Sequence, residues 1–266
     1  MMETASVAGL GLEYRRISGP RPGSATIVFL HEGLGSAGLW RDFPEALCNR
    51  TGCAGLVFSR AGYGGSDPPP GPRRPDYLHR EAQERLPGLL AALGIARPIL
   101  FGHSDGASIA LIHAASGHDV AAMILEAPHV FVEAETLAGI RAAGAAWAAT
   151  DLPQRLARHH RDAARVFHDW HDVWLTAEFR DWNIEDLLPR IAAPTLVIQG
   201  ADDEYGTPAQ LEAIARQIGG GCETMLLDAC AHTPHRERRD TVLEASARFI
   251  AQATGIAPGP GLLARP

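Results

Sequence analysis

Lysine is absent from this sequence: all 24 basic residues among its 266 are arginines. A Schiff-base lysine, a lysine on a bound phosphate and a serine-lysine dyad are therefore excluded. A serine nucleophile would have to draw its base from the 12 histidines or from a carboxylate. Cysteine is scarce. Cys48, Cys53, Cys222 and Cys230 form no C-x-x-C pair and are too few for a disulfide scaffold, so they read as reduced thiols. No apolar run approaches the roughly 18 residues of a membrane span, and "MMETASVAGLGLEYRR" lacks the positive-then-apolar order of a secretory leader. A cytoplasmic protein is the expectation. There is no internal repeat. The formal charge of -7 gives no electrostatic reason to expect nucleic acid or an anionic membrane surface as partner; a small uncharged or weakly charged molecule fits better, with a homodimer left open.

What the chain does have is core-forming sequence, 46% hydrophobic, enough for one large α/β domain or one domain with an insertion. Short apolar runs at Ala25–Glu32, Gly55–Arg60, Pro98–Gly102, Ala121–Pro128, Thr195–Gly200 and Glu223–Cys230 read as strands of a mostly parallel sheet. Helical patterns lie between them, at 40–52, 76–94, after Ser104, at 207–219 and at 239–255. This alternation predicts right-handed crossovers with helices on both faces. One region breaks it. Between Pro128 and Pro189 the sequence is helix-like and carries Trp147, Trp170, Trp174 and Trp182, which predicts a helical cap at 129–189 inserted into a core of 1–128 and 190–252. Residues 253–266 read as a flexible tail.

The stretch "LFGHSDGASIAL", Leu100 to Leu111, places Gly102, Ser104 and Gly106 at alternate positions between an apolar run and a small-residue helix. A strand that turns sharply into a helix needs small neighbours at the corner, and the serine at its apex has its hydroxyl thrust outward in front of the helix N-terminus. With 28 Gly and 10 Ser in the chain, such a match arises by chance about 0.1 times, so the strand before it and the helix after it carry the inference. In an open parallel sheet, catalytic groups gather beyond the carboxyl ends of the strands. Two other strand ends qualify. "ADDEYG" offers Asp202, Asp203 and Glu204, and "CAHTPH" offers His232 and His235. The chain order is serine, acid, histidine.

With those motifs in place, the chain resembles the α/β-hydrolase fold superfamily from about Leu10 to Ala251. "LHEGLGS" resembles the oxyanion loop after the third strand, "SRAGYGGSDPP" the loop after the fourth, "GHSDG" the nucleophile elbow, "GADDEYGTP" the acid loop and "CAHTPHRE" the histidine loop. The resemblance implies an α/β fold with a central sheet of about eight strands and a cap inserted after the sixth. Within the superfamily it is closest to cap-bearing, cofactor-free carboxylesterases, lactonases and carbon-carbon bond hydrolases.

That resemblance implies Ser104 as nucleophile, His232 as base and Asp203 as its orienting acid, because the family's acid commonly falls three residues after the strand-ending glycine, here Gly200. Asp202 is the close rival and Glu126 a weaker one. The Asp105 N-H would give one oxyanion donor. Gly33 or Leu34 would give the other, since Glu32 departs from the usual glycine and leaves the register open. Glu32, His129, Trp170 and Trp174 are candidate substrate contacts. His103 and His31 read as braces of their loops, and His235 as surface or helix start. His159, His160, His168 and His171 read as polar-face and packing residues rather than metal ligands, and no metal or cofactor is expected. The leading expectation is a serine hydrolase of a small, apolar ester, lactone or thioester working through an acyl-enzyme. Alternatives are a carbon-carbon bond hydrolase of a vinylogous diketone, a lyase or perhydrolase on the same residues, and a slow or non-catalytic small-molecule receptor. Relatives that attack with aspartate, the haloalkane dehalogenases and epoxide hydrolases, are disfavoured by Ser104.

Overall fold

In a computed structural model of the protein, residues 1–20 and 23–255 are described. An antiparallel hairpin, β1 (Glu3–Val7) and β2 (Leu10–Ile17), is followed by β3 (Thr26–Leu30), α1 (Phe43–Thr51) and β4 (Ala54–Phe58). Then come α2 (Tyr77–Arg80), α3 (Leu86–Ala92), β5 (Ile99–His103), α4 (Asp105–Ala115) and β6 (Ala122–Glu126). Four helices fill the next stretch: α5 (Ala134–Ala149), α6 (Leu152–Ala157), α7 (Ala163–Trp174) and α8 (Ala177–Arg180). The chain then returns through β7 (Thr195–Gly200), α9 (Pro208–Gln217), β8 (Cys222–Leu227), α10 (Pro234–Glu237) and α11 (Arg239–Thr254).

The sheet order is β1-β2-β4-β3-β5-β6-β7-β8, antiparallel only at its β1-β2 and β2-β4 pairs. Its central strands are apolar almost throughout because both faces are covered: every residue of β5, β6 and β7 is buried. One face packs on α1 and α11, the other on α3, α4, α9 and the helical segment after β6. The eight strands match the architecture that the resemblance implies, with the helical insertion between β6 and β7.

The hairpin is the element that apolar runs do not reveal. β1 and β2 lie at the sheet edge, where alternate residues face solvent, so their pattern carries Glu and Arg between the buried Ala5, Val7, Leu12 and Tyr14. The turn that joins them is Ala8-Gly9, both at positive φ, without the Asn-Gly signature that marks such turns in sequence. At the other end, α11 continues through Thr254, so the first two residues of the expected tail are helical. Residues 256–266 lie outside the described residues.

The position of α4 is set by close contact. A Cβ on Gly106 would run into the Leu30 carbonyl, and one on Gly102 would strike the backbone of Gly106 and Ala107, so both glycines are required for α4 to approach β3 and β5. Gly106→Ala therefore meets backbone, which cannot swing aside. It should cost about 3 kcal/mol or more, a fall of roughly 6 °C or more in thermal midpoint. Gly221→Ala, whose Cβ meets nothing within 4 Å, should stay within about 2 °C of the parent. Equal midpoints for the two variants would show that α4 can recede.

Candidate active site

Ser104 sits between β5 and α4 at φ 53 and ψ -116, a left-handed backbone that only a tightly held corner imposes on a side-chain-bearing residue. Its N-H donates to the Glu126 carbonyl on the neighbouring β6, and its own carbonyl accepts from Ala107 and Ser108. The corner is thus tied on both sides. It opens into a cavity of about 290 Å³ lined by Glu32, Gly33, Leu34, Ser104, His129 and His232, with Trp170 and Trp174 from α7.

His232 follows β8, and its Nδ1 lies 2.8 and 2.9 Å from the two carboxylate oxygens of Asp203, which follows β7. The other ring nitrogen, Nε2, is left for the cavity that Ser104 shares. The Asp203 side chain is fully buried and also accepts from the Tyr205 N-H at 2.8 Å and the Gln199 amide at 2.6 Å. Burial alone would raise its pKa, but the His232 ring and the Tyr205 N-H outweigh it and hold the carboxyl below its usual value. Asp202 is exposed and offers only its N-H, to the Cys230 carbonyl. Glu126 is buried beneath the site and takes a different partner: its Oε2 lies 2.7 Å from Nδ1 of His235. His235 accordingly begins α10 but is not on the surface. It is 3% exposed and packs against Trp40 and Phe43, because the α10 turn directs it under the sheet end rather than outward.

Each bracing histidine has defined partners. His31 holds the Glu32 carbonyl at Nδ1 (2.8 Å) and accepts the Arg60 N-H at Nε2 (3.0 Å), and its burial drives its pKa well down, so the ring is neutral. Nε2 of His103 donates to the His232 carbonyl at 2.7 Å, tying the base loop to the residue before Ser104, while its Nδ1 lies 3.4 Å from the Glu32 carboxylate. His160 is buried and joins the helical insertion to the loops after β3 and β4, accepting from the Gly64 N-H and donating to the Leu34 carbonyl, both at 3.0 Å. His168 and His171 each lie beside Asp172, and among the described residues no group of three or more His, Cys, Asp or Glu, with His159 or without it, is placed to hold a metal ion.

The loop after β3 is shaped by contact with the insertion. A Cβ on Gly33 would collide with the Trp170 indole, so Gly33 leaves room for that ring to close the cavity. In α4, Ala107 and Ser108 direct their N-H groups to Ser104, and the first-turn N-H of Asp105 has no intrahelical partner. The insertion also grips the acid loop. Thr136 donates to the Tyr205 carbonyl, and Gly139 lets α5 lie against Glu204 and Tyr205. Glu204, one of the three acids that the sequence offers after β7, lines the cavity with Tyr205, Thr136, Ile140, Arg155 and Thr233.

Sequence reasoning missed Arg60. It is 1% exposed and donates through Nη2 to the Glu32 carbonyl at 2.8 Å and to Asp105 Oδ2 at 3.1 Å, so one guanidinium joins the loop after β3 to the residue after Ser104. Tyr77 donates to the same Asp105 oxygen at 2.9 Å and accepts from Trp174 Nε1 at 2.9 Å, which carries the brace to the cavity wall. The only sequence signal was an arginine ending an apolar strand. Arg60 Nε and Nη1 have no partner among the described residues, so the pair is not optimised for stability alone. Arg60→Met should cost about 3–5 kcal/mol by stranding the Asp105 charge. Adding Asp105→Asn should recover part of that loss, with a coupling of about 1 kcal/mol or more in denaturant melts. Additive losses would show that the two side chains do not act as a unit.

The profile of the alpha/beta hydrolase family matches residues 27–245. The chain is similar to the mouse (Mus musculus) sn-1-specific diacylglycerol lipase ABHD11, with 30% identity over 278 aligned residues covering 94% of this chain and 88% of that protein. Among solved structures, a bacterial membrane phospholipase A superposes with a TM-score of 0.78 at 19% identity, over 95% of this chain and 86% of that one. A proline iminopeptidase from Mycobacterium smegmatis superposes with a TM-score of 0.76 at 20% identity, over 96% and 99%. Among the described residues no helix is long and apolar enough to cross a membrane.

Proposed function

The chain belongs to the alpha/beta hydrolase family, and on that premise we propose that it is a serine hydrolase acting on a small ester through an acyl-enzyme. One observation carries the reading: His232 bonds through Nδ1 to the fully buried side chain of Asp203 while its ring and Ser104 line one cavity. In this reading Ser104 Oγ attacks the ester carbonyl as His232 Nε2 takes its proton. His232⁺ then gives that proton to the departing alkoxide. Water, deprotonated by the same nitrogen, releases the acid and restores Ser104. Asp203 holds the ring in the tautomer that presents Nε2 as base. The N-H of Asp105, together with that of Gly33 or Leu34, receives the oxyanion; main-chain donors fixed in advance need no reorganisation as charge develops.

Ester is the bond that the name of the 30%-identical relative favours, since a diacylglycerol lipase cleaves esters. The cavity argues for a smaller molecule than a diacylglycerol: about 290 Å³ lies at the low end of the roughly 300–1,000 Å³ of small-molecule sites. We assign residues 129–189 as the cap that roofs it, with Trp170 and Trp174 shaping the acyl or alcohol pocket.

Ser104→Ala should fold normally, lose on the order of 10⁶ in kcat and no longer take a fluorophosphonate label. Asp203→Asn should cost on the order of 10⁴ in kcat by holding the wrong tautomer, and Asp202→Asn little. Turnover of Ser104→Ala within about tenfold of the parent would overturn the mechanism; the reverse ranking of the aspartates would move the acid by one place. Alanine at Trp170 or Trp174 should shift the preferred ester chain length while Ser104 is still labelled, because one methylene in such a pocket is worth roughly 1–3 kcal/mol. An unchanged profile for both would make them cap core only.

A further inference from the structure

Two polar side chains face the cavity with hydrogen-bonding capacity that the protein leaves unused. His129, just after β6, is 2% exposed, and among the described residues neither of its ring nitrogens has a hydrogen-bond partner; Nδ1 is fully enclosed on the side of Gly206, so Nε2 is the nitrogen left for a ligand. Buried polar atoms are almost always satisfied. The ring is held by packing instead, edge-on to Trp174 at 5.4 Å and 6.0 Å from His232, while Ser108 anchors its main chain by donating to its carbonyl at 2.6 Å. Burial and the nearby His232 ring bring its pKa down to about 4, so the imidazole is neutral, with one donor and one acceptor nitrogen.

Glu32 stands after β3. Because β3 and β6 flank β5 in the sheet, Glu32 and His129 approach Ser104 from opposite sides. The Glu32 side chain keeps 24% exposure where it lines the cavity. Burial works against its charge, but His103 at 3.4 Å outweighs that and holds the carboxyl well below the usual range. It is therefore an acceptor only.

These two groups discriminate among ligands. A carboxylate or phosphate on the substrate would gain no cation from Glu32 or from the neutral His129, and Arg155 in the same lining is 62% exposed and paired with Asp151. An alkyl chain would leave the His129 ring and the Glu32 oxygen turned away from His103 without partners. An ammonium suits Glu32 less than its sign suggests, because His103 already balances that charge. A hydroxyl can donate to Glu32, and can donate to or accept from His129 in either tautomer. Resting on the serine-hydrolase reading, we propose that the substrate is an uncharged ester bearing a hydroxyl group a few atoms from the scissile carbonyl, with Glu32 and His129 as the residues that select it.

The test compares kcat/KM, by acid release at constant pH, on methyl butanoate, methyl 3-hydroxybutanoate, 2-hydroxyethyl butanoate, methyl 3-aminobutanoate and monomethyl succinate. One of the two hydroxylated esters should exceed methyl butanoate by about tenfold or more, since a site built to bond a hydroxyl rejects the analogue lacking it. Glu32→Gln or His129→Phe should reduce that ratio at least about fivefold. His129→Asn serves in place of His129→Phe if the latter does not fold by its thermal melt. The proposal is overturned if neither hydroxylated ester is preferred, if the amino or succinate ester is best, or if the ratio survives in both variants. Fluorophosphonate labelling of Ser104 separates the two levels. Labelling with no hydroxyl preference sinks this inference alone, whereas no labelling and no turnover of any ester sinks the serine-hydrolase reading with it.

Discussion

The approach of α4 to the ends of β3 and β5 is the constraint on which the site depends. Gly106 against the Leu30 carbonyl and Gly102 against the first turn of α4 allow a helix axis to begin within van der Waals contact of two strands. The backbone can make that corner only by placing Ser104 at positive φ. The strain is local and is held from outside, by the bond from the Ser104 N-H to β6 and by the Ala107 and Ser108 donors behind it. With the corner in place, Ser104 lines the cavity at the start of the helix.

Around that corner lie three carboxylate-histidine pairs with different environments. Asp203 and His232 lie at the cavity, with three donors on the carboxylate. Glu126 and His235 lie below, enclosed and remote from the cavity lining. Glu32 and His103 lie between, with His103 also bonded to the His232 carbonyl. The same two residue types thus serve as a proposed reactive pair, a buried strut and a link between loops, and what separates them is exposure to the cavity. Arg60 adds a fourth link, joining the Glu32 carbonyl to Asp105, so that the two loops proposed to bind the oxyanion move together. The helical insertion is part of this assembly rather than an appended lid, since Trp174 reaches Asp105 through Tyr77 and His160 bonds the loops after β3 and β4.

Much of this was legible in the sequence because it is written locally. Six strands appear as apolar runs, and five of them, β3 to β7, are covered on both faces and have no polar alternation to hide them. The elbow appears as Gly-x-Ser-x-Gly because the corner's steric demand falls within five residues. The order serine, acid, histidine follows from strand ends in a parallel sheet. The β1-β2 hairpin was not legible, because an edge strand alternates and its Ala-Gly turn carries no strong signal. His235 does lie at a helix start, but its burial was not legible for a related reason: nothing within its own segment shows that Glu126, 109 residues away, lies beneath it.

By itself, then, the sequence determined the fold class, the corner at Ser104 and the short set of residues from which an acid and a base could come, because glycine sterics, apolar periodicity and strand-end position act over a few residues. Only the tertiary structure set their partners and their burial. It placed the carboxylate of Asp203 in the protein and left Asp202 exposed, paired His232 with one acid and His235 with another, and enclosed Arg60 against Asp105. It also left His129 neutral beside the cavity with no partner. Charge state and hydrogen-bond partner depend on burial and on which strand ends become neighbours. Those are set by the sheet order, which brings together residues as far apart in sequence as His103 and His232, 129 positions.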